Sequence, residues 1–202
     1  MSRFESAMGM DGNLFVDTLE KARKAKELVC VFRDPGDLRV YSAGYVAAIG
    51  AEDYTLQQVN SEGVPDGLDV GTIEDIIEVR RESRYTRQMA LLTENAAELD
   101  AKPFSWSGKP NPDSCIESAL KMAHDSKEVV NILIATGEDE LNCYGIVREL
   151  TGTHVRLDVL TPDGEYDGMS TLRLDDIAGL QIGTREERKI ALFHKHRTHL
   201  YL

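Results

Sequence analysis

One stretch of this chain occurs twice, and the duplication constrains the fold more than any other feature. Gly44-Tyr-Val-Ala-Ala-Ile49 leads on to Leu56, Gly63, Asp66-Gly67 and Ile73-Glu-Asp-Ile76. Gly145-Ile-Val-Arg-Glu-Leu150 leads to Leu157, Gly164, Asp167-Gly168 and Leu174-Asp-Asp-Ile177, with every pair 101 positions apart. Setting residues 19–92 against 120–193 without a gap gives about 18 identities in 74 positions. A constant self-offset of this kind is the mark of an internal repeat.

Each copy reads as helix, short strands, helix. Asn13 is a candidate N-cap for the first helix; its counterpart Ser114 is followed three residues later by Glu117, the capping-box spacing. Leu28-Val-Cys-Val-Phe32 is a β-rich run ended by Asp34-Pro-Gly-Asp37, a turn sequence. Strands are expected over 39–49, 53–60, 68–73 and 76–81, with Gly63 and Asp66-Gly67 in a hairpin turn and a helix over 84–99. Gly44 and Gly145 fall inside the second strand of their copies, where glycine marks a bend, a bulge or close backbone packing. Five short strands are unstable as a flat sheet, and bending at that glycine closes them into a small barrel without free edges. The expectation is therefore a mainly β chain with flanking helices, built as two tandem five-stranded small barrels.

The domains fall at 13–99 and 114–202, with a flexible N-terminus over 1–12 and a proline-bearing linker over 100–113. Phe104 and Trp106 lie in that linker, and one of them is expected to pack against a barrel. Cys30, Cys115 and Cys143 have no paired spacing, which suits a reducing compartment and speaks against a disulfide framework. The first residues lack an apolar signal core, and no apolar run reaches the roughly 18 residues of a membrane span. A cytoplasmic protein without membrane contact is expected.

A helix followed by five short strands, with a glycine in strand two and a leucine about a dozen positions on, resembles the first motif of the Sm-like superfamily of small, SH3-like barrels. The resemblance covers both copies. It implies that Gly44 and Gly145 permit the bend, that Leu56 and Leu157 pack in the core, and that Asp53 and His154 occupy the place of a base-reading residue. The family's second motif, an apolar residue followed by a basic pair, is replaced by Ile73-Glu-Asp-Ile76 and Leu174-Asp-Asp-Ile177. The chain thus puts anions where RNA-binding members put cations. The apolar-Asp-Ile segment also resembles barrels of the photosynthetic-reaction-centre type found in ribosome-maturation proteins.

Charge bears on the same question. The chain carries a net charge of −12, and residues 27–82 alone hold 12 acidic against 4 basic side chains. Neutralising phosphate supplies most non-specific affinity for nucleic acid, so RNA is disfavoured as a partner. If RNA binds nonetheless, Arg33, Arg39, Arg80 and Arg81 are the candidate contacts.

Chemistry is thinly signalled. Asp163-Gly-Glu-Tyr-Asp-Gly168 has alternating oxygens, but Leu174 stands where a calcium loop needs its closing carboxylate. Glu74-Asp75 and Asp175-Asp176 are adjacent, and neighbouring side chains on a strand diverge. His194, His196 and His199 could gather a transition metal, though no carboxylate or cysteine lies among them. Gly67 and Gly168 read as turn glycines. No catalytic, cofactor-binding or metal site is assigned. The expected role is a non-catalytic binding or assembly module that takes a protein partner or a second copy of itself.

Overall fold

The structure is a computed structural model that describes residues 13–100, 104–107, 114–136 and 139–200. The N-terminal segment 1–12 and the linker residues 101–103 and 108–113 lie outside the described residues. The chain divides into two compact units, Met1–Ala96 and Ala97–Leu202.

In the first unit α1 (Leu14–Ala25) precedes β1 (Leu28–Phe32), β2 (Tyr41–Ile49), β3 (Asp53–Val59), β4 (Pro65–Thr72) and β5 (Glu78–Arg80), and α2 (Arg84–Glu94) closes it. A short α3 (Ala96–Leu99) leads into the second unit. There α4 (Cys115–Ser126), β6 (Val129–Thr136), β7 (Asp139–Leu150), β8 (His154–Leu160), β9 (Tyr166–Arg173), β10 (Ile177–Ile182), α5 (Arg185–Lys195) and α6 (Arg197–Leu200) follow. Asn13 Oδ1 accepts the N–H of Phe15 at 2.9 Å, and Ser114 Oγ accepts the N–H of Glu117 at 3.1 Å, so each copy's first helix starts on a satisfied cap. Both helices also end on a left-handed lysine, Lys26 at φ 55° and Lys127 at φ 57°.

The fold is mainly β: two five-stranded antiparallel sheets with flanking helices, in the orders β4-β3-β2-β1-β5 and β9-β8-β7-β6-β10. The expected closed barrels are not seen. Among the described residues β4 does not pair with β5, nor β9 with β10; β5 has only three residues with which to reach a partner. The first sheet is nevertheless strongly curled. Arg33, just past β1, meets Asp69 of β4 at 2.9 Å, whereas in a flat sheet strands three steps apart stand roughly 14 Å from each other.

The curl has a local cause that repeats. A Cβ on Gly44 would fall on the carbonyl of Gln57 in β3, and one on Gly145 on the carbonyl of Asp158 in β8, so only glycine lets the paired backbones come this close. Just beyond, the ladder slips between Val46 and Ala48 and again between Val147 and Glu149. A bulge there strengthens twist and bend.

The β3–β4 hairpin corrects one expectation. Its turn is 60–64, held by Asn60 Oδ1, which accepts the N–H groups of Glu62 and Val64 at 2.9 and 3.1 Å. Asp66 and Gly67 lie inside β4 instead. Gly67 (φ 85°) and Gly168 (φ 93°) sit beside a second slip of register, opposite Gln57–Val59 and Asp158–Leu160. A left-handed residue is what such a bulge needs.

The cores repeat position by position. Leu19, Ala22, Val29, Val31, Val46, Tyr54, Leu56 and Ile76 fill the first unit, and their counterparts Leu120, Ala123, Val130, Ile132, Val147, Val155, Leu157 and Ile177 fill the second. In the second unit the half-buried Phe104 packs on Gly183, while Trp106 is 48% exposed. No described helix is long and apolar enough to cross a membrane.

Candidate functional site

Alternation around the end of β1 decides where two of the candidate arginines go. Arg33 turns into the curl of the sheet, where its Nη2 donates to Ser42 Oγ at 2.8 Å and to both carboxylate oxygens of Asp69 at 3.1 and 2.9 Å. Buried beside them is Tyr54, whose phenol is pushed up by its burial. Arg80 lies on the opposite face, stacked 4.5 Å over the ring of Phe32 and bonded to the carboxylate of Glu78.

The other two arginines are also paired. Arg81 bonds Glu27 at 2.8 Å and Glu82 at 2.9 Å. Arg39 folds back onto Asp37 at 2.9 Å, and the hydrogen bonds from Arg39 hold that exposed carboxyl below its usual range. Each of the four candidate RNA contacts therefore carries a carboxylate of its own, and an ion pair already formed must be opened before a phosphate can replace it.

A different cationic surface appears in the second unit. A groove of about 760 Å³ spans β7, β8 and β9 toward α5 and α6, lined by Arg148, Arg156, Arg197 and His194 together with the carboxylates Glu149 and Asp158, and by Tyr166 and Met169. Arg148, the bulged residue of β7, grips Asp158 at 2.5 Å, and Arg156 bonds Glu149 at 2.7 Å. Sequence reasoning missed this groove because it averaged charge over the whole unit. The signal lay in the repeat: Arg148, Arg156 and Arg197 stand where the first copy has Ala47, Thr55 and Ala96.

The first unit has instead an apolar edge. On β4, Leu68 is 65% and Val70 61% exposed, with Val64 of the turn exposed beside them. Edge strands are usually blunted by charge or proline; β4 carries both at its start, Pro65 and the exposed Asp66, while the outward positions that follow, Leu68, Val70 and Thr72, carry no charge. The counterparts on β9 are Met169, Thr171 and Arg173.

The histidines divide by role. His194 Nδ1 meets the carbonyl of Gly164 at 2.9 Å, and its Nε2 meets Arg197 at 3.1 Å. A carbonyl only accepts and a guanidinium only donates, so the ring is held as the Nδ1–H tautomer. Thr93, its counterpart, has the Gly63 carbonyl at 3.0 Å and the Met89 carbonyl of its own helix at 2.9 Å, and its one hydroxyl proton is shared between them; the same position thus reaches the hairpin turn in each unit. His196 caps α5, and the side chain of His199 lies outside the described residues. Among the described residues no group of three or more His, Cys, Asp or Glu is placed to hold a metal ion.

The remaining candidates are turn and surface groups. Asp75 accepts the hydroxyl of Thr72 at 2.5 Å, and Asp175 and Asp176 belong to a 3-10 turn, Leu174–Asp176. Asp53 and His154 are exposed at the starts of β3 and β8. All three cysteines are free. Burial pushes the Cys30 thiol from 9.0 up to about 12 and raises that of Cys143 as well, while Cys115 is exposed. No family model, curated protein or solved structure matches the chain.

Proposed function

We propose that this chain is a non-catalytic binding and assembly module, made of two duplicated curled sheets of the small-barrel, Sm-like type, which engages a protein partner or a second copy of itself along an open sheet edge. The observation that carries this reading is the uncharged run of outward positions Leu68, Val70 and Thr72 on β4, beyond Pro65 and Asp66. Leu68 and Val70 present apolar side chains beside backbone groups that pair on one side only, and a strand added there satisfies those groups while it buries the side chains. The free cysteines support a reducing, cytoplasmic setting. Acidic sheets around the edge favour a partner of basic overall charge.

The test compares the wild-type chain with a Leu68→Lys/Val70→Lys double variant, by sedimentation velocity and by affinity capture from cytosolic extract. Self-association or a captured partner that disappears in the double variant supports the module. Identical behaviour of the two proteins refutes the edge as its working surface.

RNA binding is the second reading, favoured by the groove in which three arginines, Arg148, Arg156 and Arg197, face two carboxylates; Arg148 and Arg156 are themselves paired with Asp158 and Glu149, so those pairs must open for a phosphate to enter. Tyr166, exposed beside them, offers a ring on which a base can stack. The discriminating measurement is anisotropy of a labelled single-stranded RNA pool with the wild-type chain and with Arg148→Glu/Arg156→Glu.

A further inference from the structure

The two sheets present opposite kinds of surface at the same place. In the first unit the residues that alternate with the buried Val46, Tyr54 and Leu56 form two rows across β2, β3 and β4. Ala48, Thr55 and Val70 make one row and Tyr45, Gln57 and Leu68 the other, with Ala47 at the bulge between them. Ala47, Ala48, Gln57, Leu68 and Val70 are exposed, Tyr45 and Thr55 are partly buried, and none of these residues carries a charge. In the second unit the matching rows are Glu149, Arg156 and Thr171, and Ile146, Asp158 and Met169, with Arg148 at the bulge.

The solvent face of an antiparallel sheet is ordinarily polar, and the second unit conforms: its charges close into the pairs Arg148–Asp158 and Arg156–Glu149. That copy keeps the same strands, register and bulge with charged residues on this face, so the fold does not call for a neutral one. The first unit departs from the rule although residues 27–82 hold 12 acidic and 4 basic side chains. Asp53 and Asp66, each two residues before a member of a row, bound the neutral area. An uncharged centre with a charged rim is the composition of a contact surface.

Symmetry selects the occupant. In a two-fold contact one patch meets itself, so a charge near the axis faces its own like, and a face used in this way must keep its centre neutral. A different partner sets no such condition. Against a chain of net charge −12 it would be basic, and the contact would carry the carboxylates that select it. The shape agrees: an axis along β3 sets Leu68 and Val70 of each copy over the low surface of Ala47 and Ala48 of the other, large side chains against small.

We propose that the chain forms a two-fold dimer in which the neutral faces of β2, β3 and β4 of two first units pack on each other. This rests on the module reading, names the partner as a second copy, and moves the contact from the backbone edge of β4 to the face of the sheet.

The deciding variant copies the duplicate. Ala47→Arg/Thr55→Arg introduces the residues that the second unit already carries at these positions, so the sheet accommodates them, with folding checked by circular dichroism. In light scattering of the full chain, wild type is expected to approach twice the 22.5 kDa of one chain as concentration rises. The variant is expected to raise the dissociation constant by about tenfold or more, because like charges across a contact repel. A second arm leaves charge in the first unit unchanged. In a Cys115→Ser background, Thr55→Cys is expected to give a covalent dimer with a bismaleimide, and Arg156→Cys, at the counterpart position, to give none. A dimer unaffected by Ala47→Arg/Thr55→Arg, or cross-linked equally through both cysteines, overturns the proposal; if Leu68→Lys/Val70→Lys alone dissolves it, the edge reading of β4 stands. A wild-type chain that stays monomeric at every concentration also overturns the proposal, and a partner captured from extract that needs Leu68 and Val70 then leaves the module reading standing.

Discussion

At the scale of single residues, the two strand glycines have a structural reason that an alanine scan exposes. A methyl on Gly44 or Gly145 meets a backbone carbonyl of the next strand, which cannot rotate away. Gly44→Ala and Gly145→Ala are each expected to destabilise their unit by about 1–3 kcal/mol, the usual cost of overpacking. Gly152→Ala, with nothing within 4 Å of its new methyl and no positive φ, is the control that stays near wild type. Urea denaturation of the three variants decides it. Cys30 gives a pH prediction. Its thiol is raised in the folded state, so the fold keeps the proton that the unfolded chain releases. The stabilisation is complete below about pH 9 and is lost as pH rises toward about 12. Tyr85 and Tyr54, also raised by burial, act in the same direction at higher pH. Chemical denaturation across this window is expected to show falling stability, with a shallower fall for Cys30→Ala. Iodoacetamide at neutral pH is expected to label Cys115 well before Cys30.

At the scale of elements, the closing helix of each unit reaches its hairpin through the same position, Thr93 or His194. His194→Ala leaves the Gly164 carbonyl without its donor and is expected to cost about 1–2 kcal/mol. His194→Thr, which copies the first unit, is expected to recover most of that loss in a thermal melt. A metal-binding role would instead leave both variants equally stable and change only a metal titration. This pairing also marks how far the sequence can be read. The helix–strands–helix order was legible because apolar period and turn residues change together at Leu28 and Asp34, and because the repeat supplies each signal twice. The hairpin was displaced by a few residues. An Asp-Gly pair serves a tight turn and a bulge equally well, and only the register of Gln57 and Val59 against β4 tells them apart. Closure of the sheet was not legible at all, since it depends on whether the three-residue β5 meets β4, and no local pattern encodes that distance. The Arg148 and Arg156 groove escaped for a related reason: these residues are remote in sequence from Arg197 and share a surface only after folding.

At the scale of the whole molecule, charge separates the two functional readings by the sign of one slope. A chain of net charge −12 repels its own copies, and at about 0.1 M ionic strength that repulsion extends over a screening length of about 10 Å, shrinking to about 3 Å at 1 M. Assembly through Leu68 and Val70 of the β4 edge must overcome this repulsion. Added salt removes it while leaving apolar burial intact, so self-association is expected to strengthen as salt rises. RNA binding has the opposite response, because each phosphate neutralised by Arg148, Arg156 or Arg197 releases counterions and the affinity falls with log salt. Sedimentation velocity and RNA anisotropy, run side by side on one preparation from low to high salt, read both slopes. A rising sedimentation coefficient with a flat anisotropy is expected. A steep loss of RNA affinity that Arg148→Glu/Arg156→Glu abolishes would mean that one local groove overrides the charge of the whole chain, and would shift the working surface from the first unit to the second.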